Sequence, residues 1–445
     1  MTILTAAVVL GVLIFVHELG HFLVAKRSGV GVLKFSLGFG PKLIGIKRGE
    51  TEYLLSAFPL GGYVKMIGED PGDESAEAAD PKRSFSRKGV GTRARIILAG
   101  PAANLLLPVA IFWGIFTFAG QPYFLPIVGT PEKDSPAAQA GLAAGDEVKA
   151  LDGRPIARWE EIKAAVQASS GRALRLTLVR SGQTVEMSVT PRAMKTRDVF
   201  GQEIEAWDLG LHPLLSTRIG QVLPGQVAQQ AGLQIRDRIV ALDGTPVAEW
   251  DQLAKAIHAS PGRAVRLTVE RGGQRFDVTV TPQPTKQRTA TGEEEIGLIG
   301  IGPAPESQYR RLNPLAALTA GLKNTVDLSV LIVQGFVKLV EGKISPKTIG
   351  GPILIGQMAG EVAQRGPVEL LSFTALLSIN LAILNLLPIP ILDGGHLMFS
   401  LIEWFRGKPV SLRKREIAQQ VGLVLLVGLM IFAFYNDISR LVGWP

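Results

Sequence analysis

Apolar positions along this chain fall into three patterns, and each predicts a different kind of element. From Ile3 to Ala25 they run almost unbroken, about the ~20 residues that a membrane-spanning helix needs. Ile96 to Phe118 and Leu370 to Leu387 repeat the pattern, and Val421 to Phe434 forms the core of a fourth such segment. Pro314 to Lys343 instead has a helical period interrupted by Lys323, Asp327 and Lys338. Its apolar runs are short for a span, which predicts an amphipathic helix lying along the outer interface. From Gln121 to about Pro284, short apolar runs alternate with turn residues, as in a water-soluble α/β unit.

Basic residues orient the spans. Lys26 and Arg27 close the first, Arg93 and Arg95 precede the second, and Arg406, Lys408, Arg413, Lys414 and Arg415 lie between the third and fourth. Such clusters mark the cytoplasmic side, so the segment from 26 to 95 is a cytoplasmic loop. Within it, 33–41 and 51–66 are broken by glycine and proline and predict short strands, while Glu69 to Asp80 predicts an exposed mobile loop. The second span contains Gly100-Pro101-Ala102-Ala103-Asn104. Small residues there permit close helix packing, and Asn104 in mid-membrane needs a partner, structural or at a site.

The soluble region repeats itself. Ala140-Gly141-Leu142 matches Ala231-Gly232-Leu233, Leu151-Asp152-Gly153 matches Leu242-Asp243-Gly244, Trp159 matches Trp250, and Thr190-Pro191 matches Thr281-Pro282, every pair separated by the same 91 positions. Two copies of one domain therefore lie in tandem. Residues 285 to 313 read as a polar linker.

Composition narrows the class. With 47% hydrophobic residues, a mean hydropathy of +0.24 and 19% charged residues, part of this 445-residue chain belongs in a membrane and part in water. The absence of Cys excludes disulfides and thiolate zinc sites. A net charge of +8 suggests nucleic acid, but the clusters beside the spans account for it, and no nucleic-acid partner is expected.

One motif breaks the apolarity of the first segment. His17-Glu18-Leu19-Gly20-His21 has the H-E-x-x-H spacing, which sets two imidazoles one helical turn apart on one face, able to share a zinc ion with Glu18 beside the reacting water. Ionisable groups in hydrocarbon are costly and are functional by default. The segment is not read as a secretory signal: it is too long, lacks a basic start, and cleavage would discard the motif. At the end of the third segment, Asn385-Leu386-Leu387-Pro388-Ile389-Pro390-Ile391-Leu392-Asp393-Gly394-Gly395-His396 breaks the helix. Backbone freed at membrane depth must be buried in protein or face water, and Asp393 there can be a third zinc ligand. His396, after two glycines, is assigned to the surface.

The paired motifs, H-E-x-x-H and N-x-x-P-x-x-x-L-D-G, resemble those of the site-2 protease family of intramembrane metalloproteases, and the repeat resembles the PDZ domain of bacterial proteases. The resemblance implies a Zn2+ enzyme with His17, His21 and Asp393 as metal ligands and Glu18 as the catalytic acid/base. It further implies that Asn385 holds substrate backbone and that residues 58 to 67 form a membrane-reentrant β-hairpin. The implied setting is the bacterial inner membrane. The implied partners are the lipid bilayer and a membrane-spanning protein, such as an anti-sigma factor already shortened by another protease; some members also clear remnant signal peptides. Arg236 stands in the second copy where the first has Gly145, a departure from the PDZ pattern.

Physical argument adds two expectations. A peptide unwound in a membrane has bare backbone groups, and the strand Gly61, Gly62, Tyr63, Val64, Lys65, Met66 can pair with it as an added strand. The tandem copies, placed outside the membrane, gate substrate access by size or by binding a peptide. Two other classes fit less well. A zinc-tied scaffold would need a fourth protein ligand, and a metal transporter would need more than one constellation along its path. The expected fold is thus a polytopic α-helical membrane protein with four spanning helices, a membrane-associated β-hairpin or sheet, and two tandem extracytoplasmic PDZ domains of mixed α/β structure. Its divisions are 1–26, 96–119, 369–390 and 418–436 for the spans, 27–95 and 391–417 for cytoplasmic loops, 120–213 and 214–284 for the copies, 285–368 for the linker and interfacial helix, and 437–445 for the tail.

Overall fold

The computed structural model describes residues 2–69, 80–223, 225–289, 292–304 and 307–442. The acidic stretch expected as a mobile loop lies, from 70 to 79, outside the described residues, as do 443–445 of the tail. The chain forms two compact units, Met1–Gln121 with Arg311–Pro445, and Pro122–Arg310.

In the first unit, helix α1 is Thr2–Arg27, with Lys26 and Arg27 in the last turn, where cations favour the helix dipole. Helix α2 is Val90–Gly114 and continues as a π turn over Ile115–Ala119. The two helices meet with almost nothing between them. A Cβ on Gly20 would lie 2.2 Å from the Ala99 carbonyl oxygen, and one on Gly100 would lie 2.2 Å from His21 Nε2. Glycine at both places is what allows the approach.

Strands β1 (Val32–Arg48) and β2 (Thr51–Met66) fold into a small sheet of four segments. Phe35 faces both Tyr53 and Val64, Leu37 faces both Leu55 and Gly62, and Ile44 and Ile46 face Leu55 and Tyr53. The order across the sheet is therefore 42–48, 51–56, 32–37, 61–66, which leaves 61–66 as an edge among the described residues. Glu50, in the turn, bonds to Arg83 at 2.7 Å and to Lys26. The Arg83 guanidinium, joined by the Lys26 ammonium, holds the Glu50 carboxyl down to about 2 and fastens the sheet to the end of α1.

Helix α3 (Pro314–Val340) starts at Asn313, whose side chain accepts from the Ala316 N–H at 2.8 Å. Its buried stripe of Ala317, Gly321 and Thr325 includes a Gly321 whose Cβ would lie 3.1 Å from Trp113 N of α2. Helices α4 (Pro352–Arg365), α5 (Pro367–Leu386), α6 (Asp393–Arg406) and α7 (Leu412–Val442) complete the unit. Asp437 of α7, 2% exposed, accepts from the Gly351, Ile353 and Leu354 N–H groups and so caps α4. Among the described residues, five helices are long and apolar enough to cross a membrane: α1, α2, α3, α5 and α7. Length and composition thus admit α3, which the sequence places along the interface.

Two expectations for loops give way to ordered structure. The segment 391–417 contains α6, whose buried Gly394, Gly395, Phe399 and Ser400 form one face and which ends at Gly407 in the left-handed region (φ 66°). Residues 285–313 are not a linker. Most of them form the hairpin Gln283–Thr289 with Gly292–Leu298, and strand Ile301–Pro303 pairs with Ile219–Val222. The second copy needs these residues to finish its core, because Ile299 is buried in it and Ile301 packs against it.

Within Pro122–Arg310, each copy has a four-stranded sheet and one longer helix. The first orders Arg154–Pro155, Glu147–Leu151, Leu174–Arg180 and Gln183–Val189, with helix Trp159–Ala168; the second orders Thr245–Pro246, Arg238–Leu242, Val265–Arg271 and Gln274–Val280, with helix Trp250–His258. The L-D-G turns need positive φ at both central residues, 48° and 76° at Asp152-Gly153 and 47° and 82° at Asp243-Gly244. Arg236 adopts φ +77° where Gly145 has +87°, so the departure from the pattern keeps the backbone path. Asp237 then meets Arg271 as Asp146 meets Arg180, both carboxylates only 1% exposed. Strand Gln121–Phe124 pairs with Ser307–Arg310, and Tyr123 Oη donates to Gln308 Oε1 at 3.0 Å. The unit's two ends therefore lie side by side.

Candidate metal centre

Helix periodicity brings the histidines of α1 together. His17 and His21, 8% and 9% exposed, set their rings edge to face with centroids 4.8 Å apart, and their Nε2 atoms are 3.2 Å apart. Asp393, the first residue of α6, points Oδ2 at both, 3.1 Å from His17 Nε2 and 3.5 Å from His21 Nε2. Its position follows from the chain doubling back after Pro388 and Pro390. A Cβ on Gly394 would lie 2.2 Å from the Leu387 carbonyl oxygen, and one on Gly395 2.3 Å from that of Ile389. Any larger residue would push α6, and Asp393 with it, away from the end of α5.

The donor set fits zinc. Two imidazole nitrogens and one carboxylate oxygen converge, and Asp393 Oδ2 is buried with no hydrogen-bond donor of its own. Donors at the usual ~2.0–2.1 Å from a tetrahedral zinc stand about 3.3 Å from one another, and the separations here run from 3.1 to 3.5 Å. Three protein donors would leave a fourth position for water or substrate, the arrangement of catalytic sites. His21 Nδ1 lies 2.8 Å from the Ile96 carbonyl oxygen, which can only accept, so the Nδ1 proton is given there and Nε2 is free to bind metal.

Glu18 borders the same cavity of about 720 Å³, with His17, His21, Tyr63, Val64 and Asp393. The Val64 N–H faces the Glu18 carboxylate, and the Met66 N–H donates to Glu69 Oε2 at 3.1 Å. Alternate amides of this edge, at 64 and 66, thus point away from the 32–37 segment. Tyr63, Val64 and Met66 line the cavity, and Tyr63 stacks on Phe39 at 6.4 Å. A Cβ on Gly61 would enter the Phe39 ring, and one on Gly62 would lie 3.1 Å from Glu18 Cγ. Lys65 sits opposite Lys34 in the ladder, outside the cavity lining.

Asn385 lies in the last turn of α5, half-buried, and is absent from the cavity lining. His396, assigned to the surface from the sequence, borders the cavity and lies outside the donor cluster. Sequence reasoning left Asn104 between packing and function; its side chain is 3.3 Å from His17 Nδ1. Reasoning missed the Ile96 carbonyl altogether, since a backbone acceptor leaves no mark in a sequence. It also missed Arg93, buried against Glu403 of α6 at 2.5 Å, because a basic residue beside a span reads first as a topology signal.

The model of peptidase family M50 matches residues 5–429. A protein of Neisseria meningitidis named as a candidate zinc metalloprotease is 38% identical over 446 residues, 97% of this chain and 97% of that protein. The regulator of sigma-E protease RseP of Salmonella typhimurium is 38% identical over 455 residues, covering 98% of this chain and 97% of the relative. Its namesake from Escherichia coli is 37% identical over 460 residues, with the same shares.

The geometry predicts which substitutions empty the centre. His17→Ala, His21→Ala and Asp393→Ala should each reduce zinc in purified protein from about one per chain to near zero, whereas Glu18→Gln should keep about one, because Glu18 is not a donor. Elemental analysis by mass spectrometry reads both outcomes.

Proposed function

The chain belongs to peptidase family M50, the site-2 protease family, and we propose that it cuts transmembrane segments of single-pass proteins whose outer domains have already been trimmed. The observation that carries this reading is the meeting of His17, His21 and Asp393 beside Glu18 on α1, a helix apolar enough to span. His17 lies roughly 23 Å along α1 from its start at 1.5 Å per residue, at a depth where loose ionisable groups are not tolerated. Relatives named as regulators of sigma-E support an anti-sigma factor as the substrate type and the bacterial inner membrane as the location.

Zinc bound by the two histidines and Asp393 would act as a Lewis acid, polarising a peptide carbonyl and making water nucleophilic near neutral pH. Glu18 takes the proton of the attacking water and passes it to the leaving amine. The edge 61–66 offers hydrogen bonds to a peptide drawn out of helical form, while Gly61 and Gly62 make room for the Phe39 ring and Glu18 beside it. Asn385 adds side-chain hydrogen bonds to that peptide. Helix α3 lies along the outer interface, which leaves four crossings and puts both ends of α5 on the sides the basic clusters require. The tandem copies, read as PDZ domains on the periplasmic side, admit trimmed substrates and turn away bulky ones.

Purified protein given a transmembrane peptide with a short outer end should cleave it, and chelator should stop cleavage. Glu18→Gln should lower the rate by at least about 100-fold, the lower range for a general base, with zinc retained. Cleavage by that variant at the native rate would remove Glu18 from its role.

The added-strand arrangement is open to cross-linking, since the chain has no Cys of its own. Moving a single cysteine from position 63 to 65 should move the cross-linked substrate position by two residues. Cross-linking that ignores this register would return the strand to a structural role.

Gating predicts the effect of excision. Because the ends of the unit lie side by side, Pro122–Arg310 can be replaced by a short linker. Cells carrying that variant should cut untrimmed substrate without the first protease. Continued dependence on the first cut would make the copies peptide receptors or spacers.

A further inference from the structure

The motif Gly100-Pro101-Ala102-Ala103-Asn104 ends at the metal centre, with Asn104 against His17. Asn104 and Ser378 are both 0% exposed. The Asn104 backbone carbonyl accepts from Ser378 Oγ at 2.7 Å, which fixes this turn of α2 against α5. The Asn104 side chain faces His17 Nδ1 at 3.3 Å.

The two histidines pose the same problem and find different partners. Each turns Nε2 toward Asp393 and so turns Nδ1 away from it. A neutral imidazole that gives its Nε2 lone pair to a metal carries its proton on Nδ1, and that proton needs an acceptor. His21 has the Ile96 carbonyl at 2.8 Å. For His17, Asn104 is the group within reach. With Nδ2 toward the ring, two donors would oppose each other, and Oδ1 stays buried without a partner. The two ends of an amide are nearly alike in size, and the hydrogen-bond network decides between them.

We propose that Asn104 turns its side-chain oxygen Oδ1 to His17 and accepts a hydrogen bond from the Nδ1–H, making it a positioning residue that fixes the tautomer and ring orientation of this ligand. The inference rests on the reading of His17 as a metal ligand. Through Ser378, the same residue links the ligand on α1 to α5, the helix that leads to Asp393.

The test compares Asn104→Leu, similar in volume but without an acceptor, with Asn104→Asp, which keeps an acceptor in place. Zinc affinity, read by competition with a chelator, should fall on the order of 10–100-fold in Asn104→Leu and return in Asn104→Asp. The cobalt-substituted protein should show altered visible absorption in the Leu variant and near-native absorption in the Asp variant. A purely packing role would leave the Leu variant native in both readouts and would overturn the proposal. A further readout does not depend on the Leu variant folding. In metal-loaded, histidine-labelled protein, the His17 Nδ1 proton should exchange slowly and move downfield in Asn104→Asp. Lack of a protonated Nδ1 on His17 would also overturn it. If His17→Ala binds zinc as tightly as the native chain, the parent reading fails instead, and the two failures are distinguished.

Discussion

The close approach of α1 and α2 is the contact on which the rest of the membrane unit depends. Gly20 lies against the Ala99 carbonyl and Gly100 against the His21 ring, so the helix backbones meet where side chains would otherwise separate them. That distance lets the Ile96 carbonyl accept a hydrogen bond from His21 Nδ1 and brings Asn104 to His17. A second contact of the same kind, Gly394 and Gly395 against the carbonyls ending α5, delivers Asp393 to the same point. Overpacking at such places costs about 1–3 kcal/mol in stability. The chemistry is less forgiving, because an error of about 1 Å in placing reacting groups can cost 100-fold in rate.

The centre is coupled to the small sheet through Glu18. This residue shares α1 with the histidines, while its carboxylate faces the Val64 amide on the open edge of β2. An incoming strand along that edge would place its carbonyls beside the proton-transfer group. On the proposed reading, substrate capture and bond cleavage would use neighbouring atoms, and the need for an extended peptide would follow from the same edge.

Much of this was legible in the sequence, and what was not has physical causes. H-E-x-x-H fixes two donors through helical pitch alone, and the proline and glycine pattern around Asp393 announces a chain reversal. The 91-residue repeat reveals the tandem copies, but the same interval carried further would have placed their hairpins. Leu298 lies at that interval from Trp207, and the polar residues of an exposed hairpin hid the match. The helix at Asp393–Arg406 escaped notice because its apolar face is short and its basic end reads as a topology marker. Asn385 has a place in the chain pattern, in the last turn of α5, but does not line the cavity that holds the donors.

The central claim is that two histidines and one carboxylate hold a zinc with one position left open for reaction. X-ray absorption at the zinc edge of the purified, metal-loaded chain measures that shell directly. The account predicts only nitrogen and oxygen donors at about 2.0–2.1 Å, with scattering from two imidazoles and a total of about four ligands. A third imidazole would bring His396 into a closed structural site, and a six-oxygen shell would remove the histidines from it; either result would contradict the account.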